Sequence, residues 1–238
     1  MGGDDQRESR SWYAEAAIRN HSNFSNMFLF AMNSNLPRGK VSILDYGGGG
    51  GQFALTCKSY LFDSDVYFVD VRDDGLLDEW KLVNRQIKFK DFPTDRTRFD
   101  YIFLNDVFEH VLDPVSVLKQ LAGKLEDTGK IFIDTPKQFW IYPITKLLSK
   151  HRLYGKVLRG TVSSAHLQIW SRRAFELVVS MSDLKIEKYS EVSEYTMPSD
   201  FYLNNMRIEN RVMRLAGHLF YRNAKHVAKN KILCLLSK

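Results

Sequence analysis

The sequence predicts an α/β protein whose sheet is mostly parallel and covered by helices on both faces. Three observations predict it. Short apolar runs alternate with helical patterns along most of the chain. The runs are almost continuously apolar, as strands buried on both faces must be. Five consecutive glycines, Gly47 to Gly51, follow the first run, where an open α/β sheet turns from strand to helix.

The elements follow in order. Residues 10–34 read as a helix, with Phe24, Met27, Phe28 and Ala31 at the i, i+3, i+4, i+7 spacing of a buried stripe. Pro37-Arg38-Gly39 breaks it. Val41–Tyr46 is the first strand, and a helix runs from Gln52 to Ser59. Val66–Asp70, Gln86–Phe89 and Tyr101–Asn105 are strands two to four. Pro114–Leu125 is helical, with Val117, Leu118, Leu121 and Leu125 on one face. The turn Asp127-Thr128-Gly129 leads into a fifth strand, Lys130–Asp134. Ser171 can cap a helix reaching Met181, because its hydroxyl can accept from an orphan amide of the first turn. Leu184–Glu194 and Lys231–Leu236 supply the last two strands.

Length and composition bound the rest. A chain of 238 residues, 44% hydrophobic, fits one decorated domain over 1–238. Residues 1–40 would form an N-terminal helical cap and 137–165 an insertion. No apolar run approaches the roughly 20 residues of a membrane span, and the polar start MGGDDQRESR lacks the apolar stretch of a signal peptide. Cys57 and Cys234 lack metal-ligand spacing and suit a reducing compartment, so the expected location is cytoplasmic. Positive charge is concentrated late. Residues 137–160 carry six Lys/Arg and no acid, and 205–238 carry eight against Glu209 alone. That points to a local anionic partner, or to two solvated helix faces, rather than to a basic core that tracks nucleic acid.

The chemistry is concentrated around Asp45-Tyr46 and the glycines. Glycines there let a ligand approach the backbone, and the following helix N-terminus favours an anionic group. The dinucleotide pattern G-x-G-x-x-G fails because Gln52 and Phe53 follow the run, and no Gly-Lys-Ser/Thr makes a P-loop. The pattern present is D-x-G-x-G-x-G. Asp70 ends the second strand nineteen residues past Gly51, where a carboxylate can take both hydroxyls of a ribose.

These segments resemble the class I S-adenosylmethionine (SAM)-dependent methyltransferases. The likeness is to the small-molecule branch, with its ubiquinone-biosynthesis and sugar methyltransferases. The resemblance runs from Ile43 to Ser190. It rests on ILDYGGGGG, VYFVD, FDYIFLNDVFEHVLDP (Phe99–Pro114), LEDTGKIFIDTP (Leu125–Pro136) and HLQIWS (His166–Ser171). NKILCLLSK (Asn230–Lys238) is similar to the family's final antiparallel strand. The resemblance implies a Rossmann-like seven-stranded sheet, mostly parallel with the last strand antiparallel, and S-adenosyl-L-methionine as cofactor, leaving as S-adenosyl-L-homocysteine (SAH). It implies that Gly47, Gly49 and Gly51, with Asp45 before them, line the methionine part. Asp70, with Val71 beside it, would hold the ribose. Asp91, with Phe92 behind it, would meet the adenine, and Asn105 the methionine moiety. Plainer readings stand beside these: a strand-end cap for Asp70, a surface turn for Asp91 and a turn former for Asn105. Gly48 departs from the family, where cysteine is common, which should only loosen the loop.

A hydroxyl acceptor requires a base, and histidine titrates in the right range. His166 and His110 are the candidates, His166 preferred because it borders the insertion; each has a structural alternative, as a hydrogen-bonded residue fixing its loop. The insertion mixes Phe139, Trp140, Tyr142 and Tyr154 with Lys137, Lys146, Lys150, His151, Arg152, Lys156 and Arg159, the composition of a lid over a phosphate-bearing sugar, nucleotide-sugar or glycan precursor. No clustered Asp/Asp/Asn set can be assigned, so the expectation is metal-independent transfer. RNA methylation is the weaker alternative, since no RNA-binding module is recognisable and Asn105-Asp106-Val107-Phe108 stands where amino-methylating nucleic-acid enzymes carry Asp/Asn-Pro-Pro-Tyr/Phe. A catalytically inactive SAM-binding protein is the other. The segment 205–230 reads as a helix basic on its wet face, with peripheral contact to anionic lipid as its lesser reading.

Overall fold

The computed structural model describes residues 30, 37, 39–49, 51–71, 85–137, 146, 165–193, 198–205, 208–227 and 229–238. The expected cap at 1–40 and lid at 137–165, apart from single positions, lie outside the described residues.

Seven strands form one sheet: β1 (Ser42–Tyr46), β2 (Asp65–Asp70), β3 (Arg85–Lys88), β4 (Phe99–Asn105), β5 (Leu125–Pro136), β6 (Lys185–Val192) and β7 (Lys231–Ser237). Their spatial order is β3-β2-β1-β4-β5-β7-β6. β1 pairs in parallel with β2 and β4, as β3 does with β2 and β5 with β4. β7 runs antiparallel to both its neighbours, β5 and β6. The chain reverses its direction of travel across the sheet between β1 and β4, so the crevice at their carboxyl ends is the binding position of such sheets.

Strand alternation divides the core into two layers. One face carries Leu44, Ile102, Leu104, Ile131, Ile133, Ile232 and Cys234. It is covered by Leu118 and Leu121 of α2 (Pro114–Lys124) and by Phe175 and Val179 of α3 (Arg172–Ser180). The other face carries Ile43, Val66, Phe68, Phe103, Phe132 and Leu235 against Phe53, Ala54 and Cys57 of α1 (Gln52–Tyr60). Period-2 side chains facing apolar helix stripes from both sides are what fix the register, since a one-residue slip would invert both layers.

Local signals set the helix starts. Asp113 Oδ1 accepts from Ser116 N at 3.0 Å with Pro114 in the first turn, and Ser171 Oγ accepts from Ala174 N at 3.2 Å. The start of β5 differs from the sequence expectation. β5 begins at Leu125, directly after α2, and the Asp127–Gly129 turn is an irregularity within the strand. Leu125 pairs with Phe99 and Lys130 with Tyr101, so the intervening residues loop out of the ladder. Gly129 permits this close passage, for a Cβ there would stand 2.9 Å from the Phe99 carbonyl oxygen.

Two helices precede β7: α4 (Ser199–Asn205) and α5 (Arg211–Val227). Leu203 of α4 packs on Gly217 of α5, and Arg214 Nη2 pairs with Asp200 Oδ1 at 2.5 Å. The wet side of α5 is not simply basic, as its sequence suggested. Val212, Leu215 and Phe220 are exposed alongside Arg211 and Arg222. No helix among the described residues is long and apolar enough to cross a membrane.

Candidate active site

The carboxyl ends of β1, β2 and β4 deliver the predicted residues to one edge of the sheet. Gly47, Gly49 and Gly51 have φ of 77°, 53° and 73°, left-handed values that glycine adopts without Cβ strain. Gly47 N and Gly48 N donate to Val69 O at 2.7 and 3.1 Å, and Gly51 N to Gly48 O at 2.8 Å. The loop therefore curls back over β2, where Gly49 N donates to Asp70 Oδ2 at 2.8 Å. Asp70 is buried at this junction, and Val71 beyond it is exposed.

Asp45 lies beneath the loop, 1% exposed, and accepts from the backbone amide of Ala54 in α1. Burial raises its pKa to about 7, and the nearby Asp70 charge adds to the rise. Its Oδ2 is buried with no hydrogen-bond partner among the described residues. Gly48 does more than loosen the loop: a Cβ there would meet Asp45 Oδ2 at 2.6 Å and Cγ at 2.9 Å. The buried carboxylate occupies the space that a cysteine side chain would need.

Asp91 is exposed in the turn after β3, whose last residue, Lys88, pairs with Asp70. The turn is held by Asp91 N on Lys88 O at 2.9 Å and by Thr94 N on Asp91 O at 3.1 Å. Phe92 lies behind Asp91 in the core. Its ring is 1% exposed, packs 5.5 Å from the Tyr46 ring and lies under Lys124 Nζ at 5.2 Å. Core packing holds that ring, so Phe92 anchors the turn carrying Asp91. Asn105 closes β4, and its buried Oδ1 has no hydrogen-bond partner among the described residues.

Beyond Asn105 the chain bends sharply. Asp106 takes φ 52°, uncommon for a non-glycine residue but tolerated by aspartate, and donates its amide to Asp134 O at 3.0 Å. Lys231 Nζ, buried, bridges Asp106 Oδ1 at 2.7 Å and Asp134 Oδ1 at 2.8 Å. This ties the ends of β4 and β5 to the start of β7. Val107 then packs against the glycine loop, with Cγ2 2.5 Å from where a Cβ on Gly47 would be.

A short 3-10 turn, Phe108–His110, follows. The Phe108 ring stacks on Trp170 at 4.8 Å and meets Phe175 edge-on, which fixes the turn against α3. Glu109 is 1% exposed; Thr135 Oγ1 donates to its Oε2 at 2.9 Å, and its Oε1 faces Nε2 of His110 at 3.8 Å and Nε2 of His166 at 3.9 Å. Burial is the main cause that lifts the Glu109 carboxyl to about 7, with the Asp106 charge second. His166 is shifted down, by burial first and then by His110. The two rings lie 4.9 Å apart, edge to face, and His110 Nδ1 stands 2.8 Å from Ala165 O. Leu167 N and Gln168 N both donate to Glu109 O, at 2.9 and 3.0 Å, so the His166 segment is stitched to the turn.

The structure thus joins His110 and His166, read separately from the sequence, into one cluster around Glu109. Glu109, Thr135, Asp106, Asp134 and Lys231 were missed. For Glu109 a signal existed, an acid beside a histidine within an apolar stretch; for Lys231, far along the chain, none did.

Comparison with known proteins agrees with this architecture. A family model for the methyltransferase domain matches residues 9–189. (S)-coclaurine N-methyltransferase of Papaver somniferum is 27% identical over 141 residues, covering 56% of this chain and 40% of that protein, so the chain spans less than half the relative's length. A crystal structure of coclaurine N-methyltransferase bound to N-methylheliamine and SAH superposes with a TM-score of 0.60 at 15% identity, covering 94% of this chain and 71% of that one. A plantazolicin methyltransferase in complex with a triazolic desmethylPZN analog and SAH gives 0.59 at 20% identity, covering 98% and 91%. At these identities the solved structures establish the fold. With the family model spanning most of the sequence, this chain belongs to the methyltransferase-domain family.

Proposed function

We propose that the protein is a SAM-dependent methyltransferase that moves a methyl group to a hydroxyl or amine of a small molecule and releases SAH. One observation carries the reading: a D-x-G-x-G-x-G loop pinned to the strand-end carboxylate of Asp70 abuts, through Val107, a buried acid with two histidines.

The residues present fit the cofactor. The left-handed glycines open the backbone to a ligand, and Asp70, oriented by the Gly49 amide, presents a carboxylate suited to ribose hydroxyls. Asn105 Oδ1 and Asp45 Oδ2 are buried acceptors without hydrogen-bond partners among the described residues, at the edge where an ammonium group would need them. Asp91 serves the adenine end, and Val71, next to Asp70 in the chain, is exposed. When bound, the cofactor supplies an electrophilic methyl on a sulfonium, so its chemistry needs no further activation. The protein's task is alignment, which can remove about 7–11 kcal/mol of barrier, and removal of the acceptor's proton. His166 is the base: mostly buried, neutral near pH 7, and held by the turn that carries Glu109. His110, tied to Ala165 O, positions it.

The acceptor is a phosphate-bearing sugar, nucleotide-sugar or glycan precursor. The support is the basic, aromatic segment 137–165 beside His166 in the sequence. Neutralising Arg152, Lys156 and Arg159 should raise the acceptor KM; an unchanged KM would sink the phosphate reading. The direct test is transfer of labelled methyl from SAM into fractionated cell extract. Label in small metabolites or glycan precursors, lost in Asp70→Ala, is expected. Label confined to RNA or protein would overturn the acceptor class, and no transfer beside intact SAH binding would indicate an inactive binding protein.

A further inference from the structure

One donor atom from each of Glu109, His110 and His166 lies within 4.8 Å of the other two. Glu109 Oε1 is 3.8 and 3.9 Å from the two Nε2 atoms, too far for a hydrogen bond to either ring. A buried carboxylate, a half-buried imidazole and an exposed imidazole converge there. A metal bound at about 2.0–2.2 Å from each would hold its donors roughly 3–3.5 Å apart, a closure of less than an ångström for the two Glu109–histidine pairs.

The surrounding contacts orient each donor inward. Thr135 holds Glu109 Oε2 and so turns Oε1 toward the histidines. His110 Nδ1 can bond the Ala165 carbonyl only as a donor, which leaves a lone pair on Nε2. Glu109 O accepts from Leu167 N and Gln168 N, fixing the backbone that presents His166. Two imidazoles and one carboxylate are the donor set of first-row divalent cations, and three protein ligands leave positions open.

We propose that Glu109, His110 and His166 bind a first-row divalent transition-metal cation at the acceptor edge of the sheet. This revises the metal-independent expectation. On the methyltransferase reading, which this part rests on, an acceptor oxygen takes an open position on the cation. Such a cation would lower the pKa of the acceptor hydroxyl, whose proton would pass to bulk water as its oxygen takes the methyl and SAH leaves. His166 would then serve as a ligand, and the base role applies to the cation-free site.

The test is a titration of the chelator-stripped full chain with Co²⁺, read by equilibrium dialysis and visible absorption, with SAH binding measured in parallel. One Co²⁺ per chain is expected. His110→Ala and His166→Ala should each weaken binding by about tenfold or more, while His218→Ala, on α5, should not. X-ray absorption of the Co²⁺-loaded unmutated protein should show two imidazoles, which guards against variants that misfold. No Co²⁺ bound, absence of imidazole scattering, or binding that survives in His110→Ala/His166→Ala would overturn the site. Co²⁺ binding without SAH binding would support the cation site and defeat the methyltransferase reading, so the two fail separately.

Discussion

The two halves of the site are built from different materials. On the proposed reading the cofactor half is mostly backbone: left-handed glycines, strand-end amides and one carboxylate, drawn from residues 45–71 and the turn at 91. The proposed acceptor half is made of side chains from three far-apart stretches, the Glu109–His110 turn, Thr135 and His166, joined only by folding. Backbone geometry tolerates little at any one position, since a Cβ either fits or collides. A side-chain cluster tolerates a change of shape but loses its chemistry when one donor is removed.

The largest effect should come from the acceptor half. His166→Asn should lower kcat about 10²–10⁴-fold while SAH affinity stays within about a factor of two; calorimetry with SAH beside single-turnover kinetics checks this. A parallel fall in SAH affinity would erase the division between the halves. Asp70→Ala removes hydrogen bonds to a charged group, each worth about 1.5–3 kcal/mol, and should weaken SAH binding about 100-fold.

Gly48→Ala is the purely steric probe. Pushing a Cβ against Asp45 should destabilise the fold by about 1–3 kcal/mol in urea titration. Combining it with Asp45→Ala should recover part of the loss, because the two positions share one space. Additive losses would show that the loop shifts away.

The last effect is electrostatic. Asp45 has its pKa raised from 3.8 to about 7 by burial, so between those values the folded chain holds a proton that the unfolded chain has released. Its contribution is full below the unfolded value and is lost as pH rises through about 7. Asp45→Asn should therefore flatten the fall in stability from pH 4 to 7, read as Tm against pH.

Legibility followed the same division. The strands, the loop and Asp70 could be read because each is local: an apolar run, a glycine pattern, a spacing. The start of β5 was misplaced because Asp127-Thr128-Gly129 carries turn chemistry, whereas the ladder resumes around it and treats it as a bulge. The packing of Phe92 behind Asp91 was not legible in detail, since an aromatic after an acid reads alike on either side and only the positions of Tyr46 and Lys124 fix its place. The pairing of Glu109 with His166 depends on two backbone bonds across more than fifty residues, which no spacing encodes.

The placement of β7 has a consequence for how the protein is made. This strand follows all the others in the sequence yet lies between β5 and β6, and among the described residues it is the neighbour to which β6 is paired. During synthesis, β6 emerges as an open edge that must wait for about forty more residues, an exposed strand of the kind that invites association. Lys231 arrives with the same segment, so the bend at Asp106 acquires its counter-charge only after the other six strands have been made. A ribosome pausing before residue 231 would hold a nascent chain with its cofactor loop encoded but its acceptor edge unbraced.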